Sequence, residues 1–249
     1  MRFLVLQHIP VEHPGILRDF WKDYGISWDV AELDEGDPIP TSLSSYDALI
    51  SMGGPMDVWQ EDLYPWLKDE KDAIREWVSK GERPFLGICL GHQLLAEAIG
   101  GTVGPMHDPE VGIVRVSHTS SAIRDPIMRS FPSTFDCFQW HSAEVKDLPP
   151  GAEVIASNQQ CRIQAIRWGA AAYGFQYHVE LTESTVSDWA QVPAYKESLE
   201  AVMGPDACPR LETTVAQKLP EFNATASRLN DQFLSLVRAS IGEDPRLSS

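Results

Sequence analysis

The chain has 249 residues, of which 43% are hydrophobic and 22% are charged, and its formal net charge at pH 7 is −16. This length is sufficient for one large α/β domain, and the composition argues against disorder. Because an acidic surface repels phosphate groups, the charge argues against binding to nucleic acids and to anionic membranes. The apolar run at residues 3–6 is too short for a signal peptide or a membrane span.

The four cysteines are widely separated and form no C-x-x-C pair; they are Cys89, Cys137, Cys161 and Cys208. This spacing favours neither a zinc site nor a disulfide framework. Seven histidines are present, but no H-x-x-x-H pair occurs, which argues against a zinc hydrolase. We therefore expect no metal and no organic cofactor, and a reducing, cytoplasmic setting in which a thiol stays free to react.

The first part of the chain alternates between short apolar runs, typical of buried parallel strands, and amphipathic segments, typical of helices. Strands are predicted at residues 3–9, 26–33, 46–52 and 84–89. Helices are predicted from Pro14 to Gly25, from Pro65 to Gly81 and over residues 90–99, with a loop at residues 34–40. This alternation predicts an α/β fold: a three-layer α/β/α sandwich with a flavodoxin-like, mostly parallel central sheet.

The pattern changes after residue 102, where short strand-like runs are separated by turn residues. These runs lie at residues 111–116, 134–140, 152–156, 163–168 and 172–177. They predict a small antiparallel insertion before the chain returns to the main sheet.

The chain ends in a predicted helical tail that carries one apolar stripe, with Pro220 expected in the helix's first turn. The stripe consists of Leu219, Phe222, Ala226, Leu229, Phe233 and Leu236. It favours packing against the domain's own core, with a dimer seam as the alternative. Residues 191–210 are interpreted as a loop or a short helix. We predict a catalytic domain over residues 1–190 and a helical C-terminal extension, packed on that domain, over residues 191–249.

The strongest motif lies between a predicted strand and a predicted helix and reads Gly87-Ile88-Cys89-Leu90-Gly91-His92-Gln93. A sharp strand-to-helix turn leaves little room for side chains two residues before and after its centre, where Gly87 and Gly91 stand. The turn is expected to expose Cys89 at a helix N-terminus, which favours the thiolate, and to direct the Leu90 amide toward a developing oxyanion. A lone cysteine is more often buried and inert, but the paired glycines favour a nucleophile.

A second motif, at residues 176–180, places a histidine and a carboxylate two residues apart on a predicted strand end. Residues at this spacing face the same way, so the Glu180 carboxylate can orient the His178 ring and stabilise its protonated form. A glycine-rich segment, Met52-Gly53-Gly54-Pro55, directly follows another predicted strand. Glycine lets a backbone amide approach a reacting carbonyl closely.

The three motifs, in their order along the chain, resemble those of the class I glutamine amidotransferases, a family of Cys-His-Glu glutaminases. The resemblance covers roughly residues 2–181. It implies a catalytic triad of Cys89, His178 and Glu180. It also implies an oxyanion hole formed by the backbone amides of Gly54 and Leu90.

A further segment, at residues 138–144, resembles the loop that holds the substrate's α-amino and α-carboxylate groups in the glutaminase part of GMP synthetase and its stand-alone relatives. The resemblance implies substrate contacts from Trp140, His141 and Ser142, and from Gln93 after the nucleophile. A structural role is the alternative for His141.

The implied reaction is hydrolysis of a γ-glutamyl amide, glutamine or a γ-glutamyl compound, through a thioester on Cys89. In one interpretation the protein supplies ammonia to a separate synthetase or other ammonia-accepting subunit. In the alternative it is a stand-alone γ-glutamyl peptidase or γ-glutamylamide hydrolase. A catalytically silent protein that binds a partner or senses a metabolite is the third hypothesis, and the intact triad argues against it.

Overall fold

The structure is a computed structural model that describes residues 1–80 and 83–243. Within these residues, nine strands form one continuous sheet. The strands are β1 Arg2–Gln7, β2 Ser27–Glu32, β3 Ala48–Ser51, β4 Phe85–Ile88, β5 Thr102–His118, β6 Thr134–Asp147, β7 Ala152–Ser157, β8 Ala165–Trp168 and β9 Ala172–Phe175. The helices are α1 Leu17–Asp23, α2 Trp66–Lys80, α3 Leu90–Ala98, α4 Thr185–Trp189, α5 Pro193–Met203 and α6 Ala207–Ser240.

The strand order is β2-β1-β3-β4-β9-β8-β7-β5-β6. From β2 to β9 neighbouring strands are parallel, and from β9 to β6 they are antiparallel. Strands β3, β4 and β9 are buried along their whole length, which explains their continuous apolar sequences. The predicted α/β architecture is therefore confirmed.

Helices cover both faces of the parallel part of the sheet. Successive side chains of a strand point to opposite faces, so Phe3 and Val5 join one core cluster and Leu4 and Leu6 join another. The first cluster contains buried residues of α1 and α6, and the second contains those of α2 and α3. The three predicted layers are therefore α1 with α6, the sheet, and α2 with α3.

The antiparallel strands extend the edge of the same sheet and are longer than the predicted runs. Strand β5 has 17 residues and β6 has 14. Many residues of β5 are exposed, and its pairing with β6 shifts register between Pro105 and Glu110. Backbone pairing with β6 extends the strand through residues whose side chains are not buried. The pattern of apolar residues therefore does not reveal its full length.

The prediction that Pro220 lies in the first turn of the tail helix is wrong, because α6 begins at Ala207 and has 34 residues. Pro220 lies inside the helix at an exposed position. Water can therefore reach the backbone carbonyl whose hydrogen bond the proline removes. Leu211 and Val215 keep the preceding turns of the helix packed, since both are buried in a third apolar cluster with Phe222.

Apolar residues of the tail stripe pack on the core of the chain, since Ala226, Leu229 and Phe233 share a cluster with Phe3 and Trp21. Residues 191–210 contain the helix α5 and the start of α6. The division at residue 190 remains a prediction. The helix end predicted at Gly81 lies outside the described residues. None of the helices described is both long and apolar enough to cross a membrane.

The carboxyl ends of β3, β4 and β9 meet at one edge of the sheet because these three strands are adjacent and parallel. The glycine-rich segment follows β3, Cys89 follows β4 and His178 follows β9. The topology therefore brings together three motifs that are far apart in sequence.

Candidate active site

Cys89 occupies a sharp turn between β4 and α3, with φ of 52° and ψ of −103°. A side chain on Gly87 would place its Cβ 2.4 Å from the Gly91 carbonyl oxygen. A Cβ on Gly91 would lie 2.1 Å from the Ser51 carbonyl oxygen. Both glycines are therefore required for the backbone to turn in this space, as the sequence predicts.

The side chain of Cys89 is buried, with 5% of the residue exposed, and it lies on the wall of a small cavity of about 80 Å³. The expectation that the turn exposes the thiol to solvent is therefore wrong, because residues of neighbouring elements cover it. Burial raises the pKa of the Cys89 thiol, while its hydrogen-bonding contact with His178 acts in the opposite direction. Within the protein, His178 is therefore the group that offsets the effect of burial on the thiol.

His178 and Glu180 form a direct pair, with 2.6 Å between Nδ1 of the ring and Oε1 of the carboxylate. The other carboxylate oxygen accepts a 2.9 Å hydrogen bond from the Val179 N–H. Burial alone lowers the pKa of His178, but Glu180 and the contact with Cys89 raise it well above 6.5. Burial alone raises the pKa of Glu180, but His178 and the Val179 N–H hold it below its usual range. The pair therefore favours an imidazolium beside a carboxylate.

The other nitrogen of the His178 ring, Nε2, is buried and has no full hydrogen bond to any described residue. The contact with Cys89 is looser than a full hydrogen bond, yet it shifts the pKa of both groups. Such contacts often tighten only when substrate binds. The ring edge rests against Trp189, with 4.7 Å between ring centroids, which fixes the ring's orientation.

Gly54 and Leu90 line the cavity together with Cys89. Within the described residues, neither of their N–H groups has an intramolecular acceptor. A Cβ on Gly54 would lie 2.9 Å from Cβ of His8 and 3.1 Å from Cδ2 of Leu90. Two residues with unpaired backbone N–H groups therefore line the same cavity as Cys89.

The four residues predicted to bind substrate, Gln93, Trp140, His141 and Ser142, all line this cavity. The Gln93 amide donates to the Ala143 carbonyl at 3.2 Å and to Oε1 of Gln176 at 3.1 Å. Gln176 in turn donates from Nε2 to Sγ of Cys89 at 3.7 Å. Gln93 is thus tied into a chain of contacts that ends at the thiol.

Both ring nitrogens of His141 are engaged within the protein. Nδ1 lies 2.9 Å from the Ala143 carbonyl, and Nε2 lies 3.1 Å from Oε2 of Glu110. Asn158 and Gln164 donate to the same carboxylate at 2.6 Å and 2.7 Å. This network supports the structural role for His141, because no ring nitrogen is left for a ligand.

The sequence analysis did not single out three residues at or beside the cavity, namely Asp57, Tyr195 and Glu12. Asp57 lines it, three residues after Gly54, and burial raises the pKa of its carboxyl group. Tyr195 also lines it, and its hydroxyl donates to the buried Glu12. The position of Asp57 next to the glycine motif is a usable sequence signal. Tyr195 offers none, because it reaches the site from the distant helix α5.

The sequence model of the family described as Glutamine amidotransferase class-I matches residues 17–188. The glutamine amidotransferase-like protein YfeJ of Salmonella typhimurium is 30% identical over 196 residues, covering 77% of this chain and 80% of that protein. A glutamine-hydrolyzing GMP synthase subunit of Sulfurisphaera tokodaii is 31% identical over 160 residues, covering 64% of this chain and 78% of that protein.

Solved structures give the same result. The crystal structure of a glutamine amidotransferase from Thermotoga maritima has a TM-score of 0.83 and 29% identity, covering 95% of this chain and 98% of that chain. A glutamine amidotransferase from Methylobacillus flagellatus has a TM-score of 0.82 and 27% identity, covering 94% of both chains. The chain belongs to the class I glutamine amidotransferase family, whose members are typically cysteine-dependent enzymes.

Proposed function

We propose that this protein hydrolyses a γ-glutamyl amide through a thioester on Cys89. The observation that carries the proposal is the content of one cavity wall. Cys89 lies there, and its thiol interacts with an imidazole that is paired with a carboxylate at 2.6 Å. Gly54 and Leu90 line the same cavity, and their backbone N–H groups are unpaired within the described residues. These are the components of nucleophilic acyl transfer.

In the proposed first half-reaction, the Cys89 sulfur attacks the γ-carbonyl carbon as a thiolate, while Nε2 of His178 holds the proton. The Gly54 and Leu90 amides stabilise the negative charge on the carbonyl oxygen. His178 then protonates the leaving nitrogen, the C–N bond breaks, and ammonia or an amine departs. In the second half-reaction His178 takes a proton from water, and the hydroxide attacks the thioester carbon. The C–S bond then breaks, glutamate departs, and His178 returns its proton to the Cys89 sulfur. Glu180 keeps the His178 ring oriented throughout.

The proposed substrate is held by its glutamyl α-groups. Asp57 is the one carboxylate in the cavity lining, and within the described residues it makes no ion pair or hydrogen bond through its side chain. Burial penalises its charge, so a bound ammonium group has a strong electrostatic advantage there. We assign the substrate's α-ammonium group to Asp57. The hydroxyls of Ser142 and Ser198, which also line the cavity, are suited to the α-carboxylate.

The test is hydrolysis of glutamine and of a panel of γ-glutamyl peptides and γ-glutamyl amines by the purified chain, beside Cys89→Ala. Cys208→Ala is the matched control, because Cys208 is a free cysteine that does not line the cavity. The expected result is hydrolysis that Cys89→Ala abolishes and Cys208→Ala leaves unchanged. If no substrate is cleaved and a glutamine-like chloroketone does not alkylate Cys89, the protein is instead a silent binding or sensing protein.

The same panel separates the two enzymatic candidates. The relatives named as glutamine-hydrolyzing GMP synthase subunits favour a role in supplying ammonia to a separate synthetase. That role predicts glutamine as the best substrate and an activity that a partner protein increases. Efficient cleavage of γ-glutamyl peptides with negligible glutaminase activity would identify a stand-alone hydrolase.

A further inference from the structure

We infer that His8 is a positioning residue that holds the Gly53–Gly54 peptide in the orientation needed for the oxyanion hole. The inference rests on the proposed function and deepens it, because it implies a hole that is formed without a partner protein. His8 follows β1 directly and lies under the glycine-rich segment, outside the triad and outside the lining of the cavity.

Every polar atom of the His8 side chain is engaged. Nδ1 lies 2.9 Å from the Gly53 carbonyl oxygen, and Nε2 lies 2.9 Å from Oε2 of Glu70. The Ser51 hydroxyl donates to the other oxygen of Glu70 at 2.7 Å. The His8 ring stacks on Trp66, with 5.2 Å between centroids and 9° between planes. Hydrogen bonds at both ring nitrogens and stacking on one ring face therefore fix the orientation of the imidazole.

The hydrogen bond from His8 controls the direction of a neighbouring N–H group. The Gly53 carbonyl and the Gly54 N–H belong to one peptide unit, and no cis peptide bond occurs in the described chain. In a trans peptide these two groups point in opposite directions. With its carbonyl held against His8, the peptide directs the Gly54 N–H away from His8, and Gly54 lines the cavity that contains Cys89.

Two consecutive glycines do not fix this orientation by themselves, because glycine occupies backbone conformations that other residues avoid. A flipped peptide would turn the Gly54 N–H toward a His8 ring that is 0% exposed and would leave the ring's N–H unpaired. The buried chain Ser51–Glu70–His8 thus favours the orientation that the proposed chemistry needs.

The charges around His8 also favour the hydrogen bond to the Gly53 carbonyl. Both ring nitrogens face acceptors, so both donate when the ring is protonated. Burial alone lowers the pKa of His8, but Glu70 on α2, the Gly53 carbonyl and the nearby Glu12 raise it overall. A cationic ring holds the carbonyl more strongly than a neutral one. A charge on the ring thus adds to the hydrogen bond that holds the Gly53–Gly54 peptide.

The experiment compares His8→Leu with His8→Asn on the best substrate of the panel. Leucine removes the hydrogen bond, whereas an asparagine amide nitrogen can donate from nearly the position of Nδ1. Loss of a complete oxyanion donor typically lowers kcat by about 10²–10³. For a donor that is misdirected in part of the molecules, we expect His8→Leu to lower kcat by about 10- to 100-fold with KM nearly unchanged. His8→Asn is expected to recover most of the loss.

A second measurement separates positioning from general damage. Alkylation of Cys89 by iodoacetamide needs the thiol and His178 but forms no oxyanion, so its rate is expected to stay unchanged in His8→Leu. Because leucine leaves Glu70 buried without its partner, His8→Leu combined with Glu70→Gln provides a variant with no unpaired charge. Equal losses of alkylation and hydrolysis, a rise in KM alone, or no advantage of asparagine over leucine would each overturn the inference.

Failure of the proposed function gives a different result. If wild-type protein shows no hydrolysis dependent on Cys89, that function is lost, and the inference is then decided by crystal structures of the wild type and His8→Leu. A Gly53–Gly54 peptide that keeps its orientation without His8 overturns the inference. A peptide that flips or takes two orientations supports it.

Discussion

At the scale of single residues, the site depends on charges placed where water does not reach them. Glu180 is 4% exposed and His178 is 0% exposed, so each needs the other to remain ionised. Among the described residues, His178 is the cationic partner of the Cys89 thiol, whose pKa is raised by burial. The carboxylate therefore influences the nucleophile indirectly, by favouring the protonated imidazole.

We predict that Glu180→Gln lowers kcat by at least about 100-fold, because in other triads an amide in place of the carboxylate costs up to about 10⁴. Without the carboxylate, burial lowers the pKa of His178, and the imidazolium no longer stabilises the thiolate. Alkylation of Cys89 by iodoacetamide is therefore expected to require a higher pH than in the wild type. Steady-state kinetics and alkylation rates across pH test both points. Glu183→Gln, at an exposed position nearby, is the control and is expected to leave both unchanged.

A second residue-scale prediction concerns Asp57. Asp57→Asn is expected to raise KM for γ-glutamyl substrates by about tenfold or more, with a smaller change in kcat, because it removes the carboxylate assigned to the α-ammonium group. For analogues without the α-amino group, the variant and the wild type are expected to behave alike. Asp62→Asn, at an exposed position of the same loop, is the control. An equal effect on substrates with and without the amino group would contradict the assignment.

At the scale of secondary-structure elements, the candidate site has two origins. Loops after β3 and β4 provide the glycines and the thiol, and the segment after β9 provides His178. Helix α5 closes the cavity from the other side with Ala194, Tyr195 and Ser198. The Tyr195 carbonyl accepts a 3.2 Å hydrogen bond from Nε1 of Trp140, which ties this helix to β6.

We predict that Tyr195→Phe lowers the free energy of unfolding by about 1–3 kcal/mol, because Glu12 loses a buried hydrogen bond. Burial raises the pKa of Glu12 above 4.5, and the Tyr195 hydroxyl limits that rise. The folded state thus binds a proton at Glu12 more readily than the unfolded state does, and this contribution to stability is lost as pH rises. The Tyr195 hydroxyl favours the ionised form of Glu12, which becomes more populated as the pH rises. The loss of stability in Tyr195→Phe is therefore expected to be larger at about pH 7 than at about pH 5.

Urea unfolding of variant and wild type at both pH values measures the difference between them. Tyr64→Phe is the control, because the Tyr64 ring packs near Trp66 and its hydroxyl makes no hydrogen bond within the described structure. A loss of stability that is equal at both pH values would show that Glu12 does not mediate the effect.

The sequence was most informative where one local pattern determines the geometry. Glycines on both sides of Cys89 and the two-residue spacing of His178 and Glu180 each encode a conformation that the structure contains. The burial of Cys89 was not predictable, because it depends on elements distant in sequence. The same reason applies to Tyr195 and to the length of β5, where tertiary contacts outweigh local pattern.

At the scale of the whole molecule, the C-terminal extension contributes to both the cavity and the main core. Helix α5 lines the cavity, and α6 packs through Phe233 against Phe3 of β1, with 6.4 Å between ring centroids. Phe3 also contacts Trp21 of α1 at 5.4 Å. The last helix, the first strand and the first helix therefore share one core cluster. The extension thus contributes both to the lining of the cavity and to this core cluster.

We predict that Phe233→Ala lowers the free energy of unfolding by about 3–5 kcal/mol, because it removes a fully buried ring whose space the surrounding strand and helices cannot fill. Gln217→Ala, at an exposed position of the same helix, is the control and is expected to change stability by less than about 0.5 kcal/mol. Urea unfolding followed by tryptophan fluorescence measures both variants, since Trp21 belongs to this core cluster and Trp28 packs against it. If the extension were an independently folded unit, Phe233→Ala would give a separate early transition. A single cooperative transition at lower urea would show that α6 and the parallel sheet unfold together.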